Sequence, residues 1–225
     1  MTSMNRRGRK SGDSENGELI TRAAFELLME KGYTDTSYAD IARRCGRTRS
    51  LVQYYYPKKE LILSDFVLRL LQLSEDYLQE HDLGTDSCFV DFSITGYMHF
   101  CFLLNNEDLR PLTLDISSLR SASSSIIELM ESWVIRYDEL SGFSPDEVLD
   151  AVLLSMGGAY EFMNYHLKEQ LPIDVADLLR RTIAAFMFQL GFDTADFEAE
   201  FETHLLSDEA IADANEYILA HICEP

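Results

Sequence analysis

Residues 37–56 read SYADIARRCGRTRSLVQYYY, two short helical patterns separated by a glycine. A helix-turn-helix needs a small residue where its first helix crosses its second, because a larger side chain would hold the helices apart, and Ala42 meets this need. Four residues later, Gly46 can take the positive φ that a tight turn favours without steric cost. The inner faces of the two helices would carry apolar residues, namely Ile41, Val52 and Tyr55. This spacing predicts a helix-turn-helix.

Flanking signals define where these helices begin and end. Ser37 and the acidic residue three positions later resemble an N-terminal capping box, and Thr48 can cap the second helix. Pro57 ends that helix, since the residue before a proline is driven out of helical geometry. Upstream, apolar residues recur at helical spacing from Glu18 to Gly32, which predicts a further helix that ends at a glycine.

The outward face of the second short helix is rich in hydrogen-bond donors. At about 100° of rotation per residue, Arg49, Ser50 and Gln53 share the face opposite the apolar residues. Tyr54 lies on the flank of this face. In a major groove, arginine can pair with guanine and glutamine with adenine. Basic residues that could bind phosphate surround the face, namely Arg43, Arg44, Arg47, Lys58 and Lys59. The alternative is a helical hairpin in an ordinary core with a charged outer face.

Charge is divided unevenly along the chain. The 225 residues include 19 Lys and Arg against 39 Asp and Glu, a net charge of -20. Residues 1–60 hold 12 of the basic and 8 of the acidic residues, a net of +4, so the remainder carries -24. Such asymmetry suggests a small module that contacts nucleic acid on a large body that repels it. A solvated acidic surface without functional meaning would give the same composition.

The composition favours helices. Apolar types make up 46% of the chain, while glycine (11) and proline (5) are scarce, which argues against an all-β protein with many turns. No run of 18 uncharged apolar residues suggests a membrane span, and the basic, polar N-terminus lacks the apolar segment of a secretory signal. The scattered cysteines are typical of reduced thiols and are Cys45, Cys88, Cys101 and Cys223. We therefore expect a cytoplasmic protein without a membrane partner.

The rest of the chain continues as helical patterns, predicted over 58–81, 86–105, 107–119, 121–140, 144–170 and 174–190. The segment 86–105 is apolar nearly all round, as a helix packed on several sides would be. The tail, 193–225, holds ten acidic residues and neither lysine nor arginine, and its apolar residues repeat at i+4. We expect two amphipathic helices in the tail, which fold onto the body through Phe197, Phe201, Leu205 and Ile218.

Residues 23–61, AAFELLMEKGYTDTSYADIARRCGRTRSLVQYYYPKKEL, resemble the N-terminal domain of the tetracycline-repressor (TetR) family. The resemblance is close over about residues 18–63 and extends to about residue 191 only in helix order and length. It implies an all-α protein, with a three-helix helix-turn-helix domain joined by a long helix to a helical ligand-binding and dimerisation domain. We expect a disordered basic arm at 1–14, the DNA-binding domain at 15–60, the regulatory domain at 61–192 and an acidic extension at 193–225. The extension lies beyond the family's usual end.

Carried over residue by residue, the resemblance implies phosphate contacts from the starts of the second and fourth helices, and DNA-facing positions on the third. With the outward face described above, the predicted DNA-binding residues are Thr36, Ser37, Arg47, Thr48, Arg49, Ser50, Gln53, Tyr54 and Lys59. Gln53 stands where the family often has tyrosine, so no operator is inferred by analogy. Tyr56 replaces a frequent phenylalanine, which is a conservative change.

A glycine pair lies in the middle of the predicted helix 144–170, within Ser155–Ala159. Each mid-helix glycine costs about 0.5–1 kcal/mol relative to alanine, so the close approach of another helix is the natural reason to keep two. With the 174–190 helix, this pattern suggests a four-helix homodimer interface, and packing within one chain is the alternative. A lone helix-turn-helix buries too little DNA surface for useful specificity, so DNA binding also implies a dimer and a pseudo-palindromic operator.

A site for a small-molecule effector is a further expectation. Polar or aromatic residues at otherwise buried positions could line a pocket, namely Tyr97, His99, Trp133, Tyr137, Tyr160 and Asn164. Each could equally be a core residue whose polar atoms are satisfied. The acidic excess would suit a cationic effector, but a surface that repels DNA explains it as well.

Three classes of function follow from these patterns. The first is a ligand-responsive regulator of transcription, a repressor by the resemblance, and the second is a DNA-binding regulator whose body binds a protein. The third, an all-helical enzyme, lacks support because the sequence has no glycine-rich phosphate loop, HExxH or GxSxG motif. No two histidines have ligand spacing, and we expect neither a metal nor a cofactor. The histidines are His81, His99, His166, His204 and His221.

Overall fold

The computed structural model describes residues 11–118 and 137–224, and the regular elements in these ranges are all helices. The all-α fold class predicted from the sequence is confirmed. Helices α1 to α4 span Ser11–Lys31, Tyr38–Cys45, Arg49–Tyr55 and Glu60–Glu80. The body continues with α5 to α8 at Cys88–Leu104, Arg110–Ser118, Pro145–Lys168 and Val175–Gln189. The tail forms α9 at Ala195–His204 and α10 at Asp208–His221, and short 3-10 turns lie at Glu107–Leu109 and Asp138–Leu140.

Helices α1, α2 and α3 pack together on apolar side chains that are continuous with the core of the body. The completely buried side chains of these three helices are Ile20, Ala24, Leu28, Ile41 and Val52. Burial of an aliphatic side chain contributes about 1.5–3 kcal/mol, so these side chains are enough to fix the angle between the two short helices. The turn between α2 and α3 is made by Gly46, whose φ of 66° lies in the left-handed region that only glycine adopts freely.

Helix α4 leaves this domain and enters the body, where it packs against α5 and α10. Helix α5 is central to the body, because it contacts α4, α6, α8, α9 and α10. Most of its residues are buried, which agrees with the apolar pattern of the sequence around the whole helix. Any group that α5 points inward is therefore enclosed by neighbouring helices.

The acidic tail folds onto the body, as predicted. Phe197, Phe201 and Ile218 are buried, and α9 and α10 both pack against α5. The guanidinium of Arg69 on α4 donates a hydrogen bond to the carbonyl oxygen of His221 at 3.3 Å. The tail thus covers a side of the body with apolar contacts and keeps its carboxylates at the surface.

The structure differs from the sequence prediction at three boundaries. Helix α1 begins at Ser11 instead of Glu18, so residues 11–14 are helical and not part of a disordered arm. Serine and acidic residues favour the first turns of a helix without needing apolar partners, which is why hydrophobic spacing gave no signal there. The helix predicted over 107–119 is a 3-10 turn followed by α6. Residues 138–140 form a 3-10 turn instead of a helix end.

Some expectations lie outside the described residues. These are the arm at residues 1–10, Trp133, and the predicted helix as far as residue 136. Of the helices that the structure describes, none combines the length and the apolar character needed to cross a membrane.

Candidate nucleic-acid interface

The exposed face of α3 is the centre of the candidate interface. Arg49, Ser50 and Gln53 are exposed on this face, and Tyr54 beside them is 67% exposed. On the opposite side, Val52 is completely buried against α1 and α2. The sequence pattern predicted this division of the helix, and contact of the exposed residues with DNA stays a prediction.

The ends of α3 are held by hydrogen bonds. At its start the Thr48 hydroxyl accepts a hydrogen bond from the backbone N–H of Leu51 at 3.2 Å. At its end Tyr56 is buried, its hydroxyl lies 2.9 Å from that of Thr21, and its carbonyl accepts a hydrogen bond from the Tyr38 hydroxyl at 2.9 Å. The sequence pattern assigned the inner position to Tyr55, which is half-buried. Tyr56 is the deeper anchor, and it fixes how far α3 projects.

Helix α2 begins with the predicted capping box. The Ser37 hydroxyl accepts from the Asp40 backbone N–H, and the Asp40 carboxylate accepts from the Ser37 backbone N–H. The hydrogen bonds from Ser37, together with the ammonium of Lys31 at 2.9 Å, hold the pKa of Asp40 well below its usual range. Ser37 itself is exposed, so it can meet a phosphate at the start of α2.

The side chain of Thr36 is buried behind the candidate interface. It is 1% exposed, and its hydroxyl donates to the carbonyl oxygens of Gly32 at 2.7 Å and Leu27 at 3.2 Å. The hydroxyl is therefore not free to donate to a phosphate, and a contact of Thr36 with DNA stays a prediction. The hydroxyl instead ties the α1–α2 loop to the end of α1, because a buried hydroxyl needs a partner.

The arginines around α3 have different surroundings. Arg44 is paired with Glu26 at 3.1 Å and Glu30 at 2.6 Å, and these carboxylates raise its pKa above the usual value. Arg44 therefore joins α2 to α1 through these ion pairs. It is not the free phosphate-binding residue that the sequence predicted. Arg47 is half-buried, and its Nε donates to Asn16 Oδ1 at 2.6 Å, so it is partly used to hold the start of α1. Arg43 is largely exposed and pairs with Asp40 only at 3.3 Å.

Lys59 stands at the start of α4 and is half-buried. Its Nζ donates to the carbonyl oxygen of Thr34 at 3.3 Å and lies 4.1 Å from the centre of the Tyr33 ring. Burial lowers the pKa of Lys59 below its usual value. Lys59 is thus held against the α1–α2 loop, beside the exposed Lys58.

The same loop is joined to the body by one carboxylate that sequence reasoning missed. Asp115 on α6 accepts hydrogen bonds from the backbone N–H groups of Tyr33 at 2.8 Å and Thr34 at 3.1 Å, and from the Thr34 hydroxyl at 2.7 Å. Gly32 has a φ of 77°, and a Cβ there would lie 3.0 Å from Asp115 Oδ2. Nothing in the local pattern around Asp115 indicates this contact, because its partners are about eighty residues away.

The residues predicted to line an effector pocket do not gather at one point. His99 is buried at the interior face of α5, and neither of its ring nitrogens has a hydrogen-bond partner. Burial lowers the pKa of His99 to about 3, so its ring is neutral. The Tyr160 hydroxyl on α7 is also buried without a partner. Tyr97 lies apart, in a narrow cleft beneath α9.

The remaining candidates have partners. Asn164 donates from Nδ2 to the Ser118 hydroxyl at 3.2 Å, while its Oδ1 is buried without a partner. The Tyr137 hydroxyl donates to Asp91 Oδ2 at 2.5 Å. Tyr137 therefore belongs to a polar cluster around Asp91 near the start of α5, whereas Tyr160 and Asn164 lie on α7.

Comparisons with known proteins identify relatives of the N-terminal domain. Residues 20–65 match the family model described as bacterial regulatory proteins, tetR family. The uncharacterized HTH-type transcriptional regulator YdgC of Bacillus subtilis (strain 168) is 27% identical over 104 residues, covering 44% of this chain and 53% of YdgC. The matched part thus spans about half the length of that curated relative.

Solved structures show weaker likeness. NalD, the secondary repressor of the MexAB-OprM multidrug efflux pump in Pseudomonas aeruginosa, is 20% identical with a TM-score of 0.42, over 78% of this chain and 97% of NalD. The tetR regulator TylP of Streptomyces fradiae is 15% identical with a TM-score of 0.42, over 88% of this chain and 100% of TylP.

Proposed function

We propose that this chain is a member of the tetR family of bacterial regulatory proteins, which its residues 20–65 match, and that it binds a pseudo-palindromic operator as a homodimer and represses transcription until an effector binds. The observation that carries the proposal is the exposed face of α3. Arg49, Ser50 and Gln53 project from a helix whose other side and both ends are fixed. A rigid helix with donors on one face is what reading base edges in a major groove requires.

Positive charge supports the assignment. The exposed cations Arg43, Arg49 and Lys58 surround α2 and α3, in a chain whose net charge is otherwise strongly negative. Contacts of this kind with phosphate set position and orientation on DNA but carry little sequence information. The acidic body would be repelled by DNA, which favours approach through the N-terminal domain alone.

The surface of α7 supports a homodimer. Cβ atoms added at Gly157 and Gly158 would meet nothing within 4 Å, so packing within the described chain does not explain these glycines. Large apolar side chains stand exposed on α7 and α8, since Leu154 is 70% and Phe188 is 78% exposed. A second copy of the chain would bury this surface and bring a helix close to the glycines. Two helix-turn-helix units related by two-fold symmetry would then require a pseudo-palindromic operator.

The contacts of α6 also support a response to an effector. Helix α6 holds the α1–α2 loop through Asp115, and it is attached to α7 at two points. Ser118 receives the hydrogen bond from Asn164, and Arg110 donates to the carbonyl oxygen of Leu167 at 2.7 Å. A change in the packing of α6 would therefore move the loop that holds Lys59. If an effector binds more tightly at one spacing of the two α3 helices of the dimer, and operator DNA requires another spacing, operator DNA must by linkage lower the affinity for the effector.

Selection of bound DNA from a random pool, with light scattering on the free protein, tests this proposal. We expect a dimer in solution and an enriched sequence with two inverted half-sites about one helical turn apart, roughly 34–36 Å. A monomer in both the free and bound states, or an enriched site without inverted symmetry, would contradict the homodimer. Failure to enrich any sequence would contradict sequence-specific binding.

A further inference from the structure

A carboxylate of the body, that of Asp115 on α6, binds the N-terminal domain with both of its oxygens. Its Oδ2 accepts hydrogen bonds from the backbone N–H groups of Tyr33 at 2.8 Å and Thr34 at 3.1 Å. Its Oδ1 accepts a third hydrogen bond from the Thr34 hydroxyl at 2.7 Å. Hydrogen bonds to an ionised acceptor are about twice as strong as those between neutral groups. The α1–α2 loop, residues 32–37, is therefore held firmly against α6.

The loop approaches α6 so closely that its first residue has to be glycine. A Cβ atom at Gly32 would lie 3.0 Å from Asp115 Oδ2 and 3.1 Å from the Cβ atom of Pro111. The φ of Gly32, 77°, is also in the left-handed region that glycine adopts without steric cost. The glycine that ends α1 therefore also makes room for the contact between the loop and the body.

The covalent connection between the N-terminal domain and the body is elsewhere, at the start of α4. Residues 56–59 between α3 and α4 are not helical, and a few residues of this kind can absorb the backbone rotation of a hinge. Packing of α1 against α4 and α6 restricts such a rotation, but the angular preference of hydrogen bonds selects one orientation. With α4 as one attachment and Asp115 as the other, the orientation of the domain to the body is fixed.

We propose that Asp115 is a positioning residue for operator recognition, which fixes the N-terminal domain on the body and so sets the half-site spacing that the homodimer accepts. The inference rests on the proposed function, because only a dimer on two half-sites has a spacing to set. Two linked binding units gain affinity where their fixed geometry matches the spacing of their sites, and they lose this gain where it does not. Asp115 itself contacts the loop, not α3, so base preference within a half-site should not depend on it.

The test measures the affinity of the full-length protein for operators that differ only in the spacer between their half-sites. The spacers are the optimal one and others that are one and two base pairs longer or shorter. Asp115→Ala removes all three hydrogen bonds, and alanine is a good helix former. We expect this variant to bind the optimal operator about ten-fold more weakly and the other operators with less than about two-fold change. Base preference within each half-site should stay as in the parent.

Two results of this series would overturn the proposal. Unchanged discrimination between spacers in Asp115→Ala would show that the contact does not set the spacing. An equal loss of affinity at every spacer would place the effect inside the N-terminal domain or in the overall stability of the protein, and not in its orientation.

A second variant and a matched control separate the contact from the charge. Thr34→Val removes only the hydroxyl bond to Asp115, so it should reduce the spacer discrimination less than Asp115→Ala and add nothing when combined with it. Asp108→Ala removes an exposed carboxylate from the turn before α6. It should strengthen DNA binding slightly and equally at all spacers, because one repulsive charge is lost. Loss of discrimination in Asp108→Ala equal to that in Asp115→Ala would overturn the proposal.

Failure of the proposed function would look different, since the parent itself would then bind no DNA or prefer no spacer. The fixed orientation is therefore also measured without DNA, from residual dipolar couplings of the nitrogen-15-labelled protein. In the parent we expect one alignment tensor to describe both α1–α3 and the body. In Asp115→Ala the alignment of α1–α3 should become smaller than that of the body. A single common tensor in both proteins would overturn the role of Asp115 in fixing the domain.

Discussion

The N-terminal domain and the body treat their buried polar groups in opposite ways. In the described residues 15–60, each buried side-chain nitrogen or oxygen has a hydrogen-bond partner. Among the described residues of the body, Thr95, His99 and Tyr160 all hold buried polar atoms without one. Recognition of base edges needs a helix that does not move, whereas a body that responds to a ligand can keep polar groups for that ligand.

The buried polar groups of the two regions therefore contribute to the free energy of unfolding with opposite sign. Thr36 and Tyr56 stabilise the position of α3 through bonds made within the chain. His99 and Thr95 are instead a cost of folding, because their polar atoms lose water and gain no partner. Substitutions at matched positions in the two regions should therefore have opposite consequences for stability.

The largest expected effect is the pH dependence that His99 gives to the body. Burial lowers its pKa from 6.5 to about 3 in the folded state, so the unfolded chain binds one more proton between these pH values. The free energy of unfolding should therefore fall, through this residue, by about 1.4 kcal/mol per pH unit as the pH drops from 6.5 toward 3. Denaturant unfolding across this range measures the slope.

His99→Leu is the variant that isolates this contribution. It should be at least as stable as the parent at pH 7, since no hydrogen bond is lost. Its free energy of unfolding should also fall less steeply than that of the parent as the pH drops below 6.5. If the free energy of unfolding depended on pH in the same way in parent and variant, His99 would have a partner in the folded state. The contrast between the buried polar groups of the two regions would then fail.

A smaller effect comes from two threonines that are each 1% exposed. Thr36→Val should lower the free energy of unfolding by about 1–3 kcal/mol, because its hydroxyl donates to Gly32 and Leu27. Thr95→Val should cause no loss, because its hydroxyl has no partner to lose. Equal destabilisation of the two variants in urea unfolding would contradict the comparison.

The interface could be predicted from the sequence where it depends on local pattern. The cap at Ser37, the left-handed turn at Gly46 and the exposed face with Gln53 follow from residue type and helical spacing alone, and the structure has all three. The glycine pair at 157 and 158 was also informative. Two mid-helix glycines destabilise a helix, so their presence indicates a contact with a neighbouring helix.

What depends on distant contacts could not be predicted. Thr36 resembled a phosphate contact, but its burial is set by how the α1–α2 loop folds back on α1. Arg44 resembled a free cation, but Glu30 in the last turn of α1 and Glu26 one turn earlier bind it. The role of Asp115 was invisible because an acidic residue on a helix is usually solvated, and its partners belong to another domain.

The central claim is that α3 reads bases while the start of α4 holds the DNA backbone. Operator and scrambled DNA binding of Gln53→Ala and Lys59→Ala, across a salt series, tests it most directly. Gln53→Ala should cost roughly 1–3 kcal/mol on the operator, relax preference at one position per half-site and leave the salt slope nearly unchanged. Lys59→Ala should weaken binding to all sequences about equally and reduce the salt slope by about one per subunit. If Lys59→Ala changed base preference and Gln53→Ala acted uniformly, the placement of the recognition helix would be wrong.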